Sequence, residues 1–163
     1  MSDFASLADG GRRLAPVLAE AVGGLPGVVL LAAIPNGVPV ALGAAETLAL
    51  EVSGLAVERS EAGASVPARP DLAGRHVVVV DDGVETGTVA RAAAASLRAV
   101  GVASLRLAVP VCPREAEADL QHRYDEVIAV VRPMARRDLA WHYAAFDTID
   151  DHAARRLLWD HNA

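Results

Sequence analysis

The sequence predicts an α/β fold: one domain over residues 1–163, with a mostly parallel five-stranded sheet flanked by helices. Three observations predict it. Short apolar runs alternate along the chain with longer segments whose apolar residues recur at helical spacing, as βα units do. The runs are apolar throughout instead of alternating with polar residues, as strands covered on both faces must be. The composition is 53% hydrophobic but only 4% aromatic, so the core is mostly Val, Leu and Ala and suits close helix-on-sheet packing.

Each element has its own signal. Phe4, Leu7, Gly11, Leu14, Leu18 and Val22 fall on one helical face, with Ser2 or Asp3 as the expected cap and Gly23-Gly24 as the stop. Val28 to Ile34 reads as a buried strand, broken by Pro35-Asn36-Gly37, and a second helix is expected from Val38 to Leu50. Gly54 precedes an expected strand from Leu55 to Arg59, and Ser60 to Pro70 reads as a loop. Val77 to Val80 is the next strand, followed by a helix lined by Val89, Ala93, Leu97 and Val100 and stopped by Gly101. Leu105 to Val109 is a strand that Arg106 suggests lies near an edge, Glu115 to Arg123 a helix, and Glu126 to Val131 the last strand. The tail carries Trp141-His142-Tyr143-Ala144-Ala145-Phe146. A helix follows it, capped by Asp150 or Asp151 and expected to bury Leu157 and Leu158.

Charge and composition exclude several roles. The net charge is −6 and the chain has no lysine, so a basic nucleic-acid-binding face is not expected. Cys112 is the only cysteine, which rules out an intrachain disulfide and a sulfur-based zinc cluster. The N-terminus has no basic-then-apolar signal pattern, and the run from Val28 to Ile34 is too short to span a bilayer. A soluble, cytoplasmic protein is expected.

The chemistry concentrates in VVVVDDGVETGT, from Val77 to Thr88. Ligands of such sheets sit beyond the carboxyl ends of the strands, where Asp81 and Asp82 fall. The loop from Gly83 to Thr88 then opens a helix, whose free N–H groups and partial positive charge suit a phosphate. Glycine lets backbone approach the phosphate, and threonine hydroxyls add donors. Paired carboxylates suit a vicinal diol or a magnesium ion, so both halves of the motif fit a ribose 5-phosphate. A P-loop would need a lysine, and no dinucleotide glycine fingerprint follows the strand. The purely local alternative is a solvated Asp-Asp turn with Thr86 as helix cap.

VVVVDDGVETGT resembles the PRPP-binding signature of the type I phosphoribosyltransferases. Phe4 to Ala15, Ile34 to Ala41 and the tail Tyr143-x-x-Phe146 are similar to a bacterial phosphoribosyltransferase-like group. The resemblance implies transfer of the ribose 5-phosphate of PRPP to a nitrogenous base, with purine as one candidate, and release of pyrophosphate. It implies that Asp81 and Asp82 bind the ribose hydroxyls directly or through Mg2+, and that Gly83, Val84, Glu85, Thr86, Gly87 and Thr88 complete the PRPP loop. Asn36 and Gly37 would belong to the pyrophosphate loop, and Arg59 would be the cation facing it. Glu85 matches a position that acts as a base in the hypoxanthine–guanine branch; the alternative is a solvated loop glutamate. A homodimer is implied, with PRPP and a small-molecule base as partners and no membrane.

Four departures from that pattern keep a second reading open. The segment Pro35-Asn36-Gly37-Val38 is a residue short and lacks an arginine, and Ser60 to Arg75 is too short for a long closing loop. Val89 replaces the signature's last threonine, and no lysine exists to assist. The second reading is a non-catalytic phosphoribosyl- or nucleotide-binding module on the same fold. A third is a scaffold for protein contacts. His142 could lie over a base, with Tyr143 or Phe146 stacking on a ring, but core or dimer-interface packing is favoured for Trp141, Tyr143 and Phe146, and His76 is read as structural.

Overall fold

The computed structural model describes residues 2–163. Five helices flank one sheet: α1 (Leu7–Val22), α2 (Gly37–Ala45), α3 (Thr88–Val100), α4 (Arg114–Leu120) and α5 (Asp151–Asn162). The strands are β1 (Val28–Ala33), β2 (Glu51–Leu55), β5 (His76–Val80), β6 (Ser104–Val111) and β7 (Glu126–Val131), and all neighbours are parallel. A separate hairpin pairs β3 (Glu58–Ser60) with β4 (Gly63–Ser65).

Strand order is β2-β1-β5-β6-β7. The chain therefore moves one way from β1 to β2 and the other way from β5 through β6 to β7. That reversal leaves a crevice at the carboxyl ends of β1 and β5, the place where such sheets bind ligands.

Every residue of β1 is buried, which explains why the run does not alternate. Leu30 and Ala32 face a core shared with Leu14 and Leu18 of α1, Val40 of α2 and Leu158 of α5. Val29 and Leu31 face the opposite core, with Ala93 and Leu97 of α3 and Leu120 and Tyr124 at and beyond the end of α4.

Several element boundaries differ from expectation, each for a local reason. Neither Ser2 nor Asp3 caps α1; Ser6 does, accepting from the Asp9 amide at 3.1 Å while the Asp9 carboxylate accepts from Ala5 N–H at 2.9 Å. Phe4 thus lies outside the helix and bridges to Tyr143. Helix α2 ends at Ala45, not Leu50, and the second strand is Glu51–Leu55, not Leu55 to Arg59. Gly54 sits inside that strand because Leu158 and Ile34 press on it: a Cβ there would lie 2.8 and 2.9 Å from their Cδ1 atoms. Part of the expected loop Ser60 to Pro70 is the hairpin β3–β4.

Strand β6 is not near an edge; it lies between β5 and β7. Arg106 is tolerated there because its register partner is Glu126, which accepts its Nε–H at 3.2 Å. In the tail, Asp150 caps α5 and Leu158 is buried, but Leu157 is 40% exposed. No described helix is long and apolar enough to cross a membrane.

Candidate functional site at the sheet switch point

A cavity of about 370 Å³ opens at the switch point. Asn36, Arg59 and every residue from Asp81 to Thr88 line it, so the sequence-predicted residues converge except Gly37, which supports the wall from behind. Leu107 and Val109 of β6 form apolar wall, as do Leu139 and Phe146 of the tail.

Gly37 explains how the two loops meet. It starts α2 against the end of β5, and a Cβ there would lie 2.5 Å from the Val80 carbonyl oxygen and 3.1 Å from Asp81 Cα. Only a residue without a side chain lets the segment after β1 pack on the strand that delivers the aspartates. The Asn36 side chain faces the tail: its Oδ1 accepts from Ile149 N–H at 3.0 Å.

Asp81 and Asp82 are held in a poorly hydrated place. Asp82 is 8% exposed, its amide donates to Asp81 Oδ1 at 2.8 Å, and its carbonyl accepts from Tyr143 O–H at 2.6 Å. Burial pushes the Asp82 carboxyl up to about 9, with the Asp81 charge adding to the shift. Asp81 is also shifted upward by burial, partly offset by the Asp82 amide and by Arg59. The Tyr143 phenol is pushed up by burial and by both aspartates.

The following loop presents donors. Gly87, with φ of 84°, is the N-cap of α3 and no side chain caps the helix. The amides of Gly87, Thr88 and Val89 have no hydrogen-bond partner among the described residues. The first amides of a helix cannot be satisfied within it, so these remain free for an anion. Thr86 and Thr88 hydroxyls lie 3.1 Å apart, and Arg91 Nη1–H fixes the Thr86 carbonyl at 2.9 Å. Glu85 is exposed, and its Oε1 accepts from Leu139 N–H at 2.9 Å, tying the loop to the tail.

Arg59 lies on the exposed β3 strand and supplies the one guanidinium on the cavity wall. His142 does not lie over the site. It is 1% exposed and its Nδ1 pairs with Asp3 Oδ2 at 2.7 Å, closing the N-terminus onto the tail. His76 is structural, with Nδ1 2.7 Å from Ser104 Oγ.

The sequence reading missed two supports: Tyr143 O–H fixes the Asp82 carbonyl, and Leu139 N–H anchors Glu85. Of these, only Tyr143 carried a usable signal: a buried tyrosine needs a partner for its hydroxyl. Phe146, which the sequence offered as a stacking residue, lines the cavity.

Known proteins agree with this architecture. The fold is that of TT1426 from Thermus thermophilus, with a TM-score of 0.83 at 24% identity over 98% of this chain and 99% of that one. It is also that of a purine phosphoribosyltransferase from Pyrococcus horikoshii, with a TM-score of 0.59 at 18% identity over 83% and 96%. A Mycobacterium tuberculosis protein provisionally named as a phosphoribosyl transferase is 42% identical over 65 residues, which are 40% of this chain. The matched region spans about 15% of that relative's length. Residues 4–137 match the model of the phosphoribosyl transferase domain, and the chain belongs to that family.

Proposed function

We propose that the chain binds PRPP and transfers its ribose 5-phosphate to a nitrogenous base, releasing pyrophosphate. One observation carries this reading. A carboxyl pair, Asp82 buried and Asp81 half-buried, and an uncapped helix N-terminus line one cavity, at the spacing of a single strand-to-helix loop. A sugar diol on Asp81 and Asp82 puts a 5-phosphate toward the amides of Gly87, Thr88 and Val89. Val84 and Gly83 are buried beneath that loop and fix its course.

The donor set suits Mg2+ only as an ion brought by the ligand. Asp81 and Asp82 supply two carboxylates, and the described residues hold no group of three or more His, Cys, Asp or Glu placed for a metal. An ion here would take its other ligands from PRPP and water, and would neutralise pyrophosphate as it leaves. Asp81 and Asp82 position the sugar, and Arg59 with the backbone of Asn36 and Gly37 faces the pyrophosphate. Reaction at the sugar C1 then needs little covalent help from the protein and depends on positioning and charge.

Glu85 is the proposed base. One carboxylate oxygen is held by Leu139 N–H, which leaves the other to accept the proton of the attacking nitrogen. The acceptor site is the apolar wall made by Val84, Leu139 and Phe146. A purine is the first candidate, since the solved relatives of this fold include a purine phosphoribosyltransferase. The protein is proposed to act as a cytoplasmic homodimer.

The test is calorimetric titration with PRPP, with and without Mg2+, followed by an assay of pyrophosphate release over a panel of bases. Magnesium-dependent binding with release supports the enzyme. Binding without release gives the second reading, a nucleotide-binding module, which the short β3–β4 hairpin favours. No binding at millimolar PRPP overturns both.

A further inference from the structure

A second cavity, of about 430 Å³, lies where α5 crosses the end of edge strand β2, and it shares no lining residue with the first. Its floor is apolar, made by Ile34, Leu55 and Leu158. Its wall carries Arg69, Arg155 and Trp159.

The two arginines differ. Arg69 is committed to structure: it pairs with Asp71 at 2.9 Å and donates to the Gly54 carbonyl at 2.7 Å, closing the strand edge. Arg155 makes no ion pair or hydrogen bond among the described residues. One turn along α5, Trp159 is 77% exposed although it borders the cavity. A helix that merely covered an edge strand would need neither an open indole nor a free guanidinium above an apolar floor.

We propose that this cleft binds a small, flat aromatic molecule bearing one anionic group. The ring stacks on Trp159 above the apolar floor, and the anion pairs with Arg155. One uncommitted cation sets one anionic group, and the volume suits a ligand of mononucleotide size or less. A nucleoside monophosphate and an aromatic carboxylate share this chemistry. The site stands on its own residues, so it does not depend on PRPP binding. The two cavities are neighbours along the chain: Ile34 lies two residues before Asn36, whose side chain holds the approach to α5 through Ile149.

The chain has two tryptophans, so the Trp141→Phe protein reports on Trp159 alone. Its emission is titrated with adenosine monophosphate, with nicotinate and with inorganic phosphate. Saturable quenching by the first or the second is expected, and which one does so identifies the source. Inorganic phosphate, lacking a ring, should leave emission unchanged. Arg155→Ala should weaken the effective ligand about tenfold, the loss of roughly one charge-assisted bond. Arg155 is exposed, so that variant should melt with the parent. The signal should persist in Asp82→Asn, which separates this cleft from the carboxylate cavity. The proposal fails if neither aromatic ligand quenches at millimolar concentration, or if Arg155→Ala changes nothing. It also fails if sedimentation shows a dimer that Trp159→Ala dissociates, because the cleft is then covered by a second copy.

Discussion

Replacing Asp82 by asparagine keeps the shape of the side chain and removes its ability to ionise. In the folded chain burial and the Asp81 charge raise this carboxyl from 3.8 to about 9. Over that window the native state holds a proton that the unfolded chain has released. The stability it contributes is fully present below the unfolded value and is lost as pH rises toward the folded one. One proton of difference changes stability by about 1.4 kcal/mol per pH unit, so the interval from about pH 5 to about pH 8 removes up to about 4 kcal/mol. Asparagine is neutral throughout and escapes this loss. In a domain of this size 1 kcal/mol moves Tm by about 2–4 °C. The variant should therefore gain about 10 °C on the wild type between those two pH values, read by thermal melts of the ligand-free proteins followed by circular dichroism. The same variant should bind PRPP more weakly. Melting curves that stay parallel across pH would refute the buried, protonated Asp82.

Glu85→Gln keeps an oxygen for Leu139 N–H, so PRPP affinity should hold while turnover falls about a hundredfold in a pyrophosphate-release assay; equal turnover removes Glu85 as base. Gly37→Ala forces a methyl against the Val80 carbonyl and should cost about 1–3 kcal/mol by urea denaturation, together with PRPP affinity. Tyr143→Phe leaves the buried Asp82 carbonyl without its donor and should cost about 1–3 kcal/mol in the same assay. Arg59→Ala should raise the PRPP dissociation constant in calorimetry while leaving the melting temperature unchanged, because Arg59 is exposed.

What the sequence revealed follows from where the forces are local. The strands β1, β5, β6 and β7 were legible because strands buried on both faces cannot alternate, and β1 and β5 are apolar without a break through their buried residues; the half-exposed β2 carried no such run and was expected a few residues too late. The loop after β5 was legible as a turn into a helix because Gly83 and Gly87 both take positive φ there, a local demand that the sequence shows directly. Boundaries failed where distant residues decide. Gly54 reads as a strand breaker, yet Leu158, far along the chain, makes glycine the residue that fits inside β2. Arg106 reads as an edge signal, yet Glu126 on the next strand satisfies it. Leu157 and Leu158 are indistinguishable in type, and only the docking angle of α5 decides that one is buried. The supports from Tyr143 and Leu139 were hidden for the same reason: each joins residues more than fifty positions apart.

The charge balance of the cavity bears on how the proposed reaction could run. Asp81, Asp82 and Glu85 face it, against the single guanidinium of Arg59. PRPP is strongly anionic, so a cavity of three ionised carboxylates would repel it. The positive ends available are backbone amides at α3 and one exposed side chain, and the Asn36 side chain is already engaged by Ile149. Burial answers half of this problem by keeping a proton on Asp82 while the site is empty. The other half has to arrive with the substrate, as a cation that the two carboxyls can accept as Asp82 gives up its proton. Under this reading the missing lysines and the missing loop arginine are consistent with catalysis only if PRPP enters as its magnesium complex. Magnesium dependence then belongs to the binding step itself, ahead of any effect on the departing pyrophosphate.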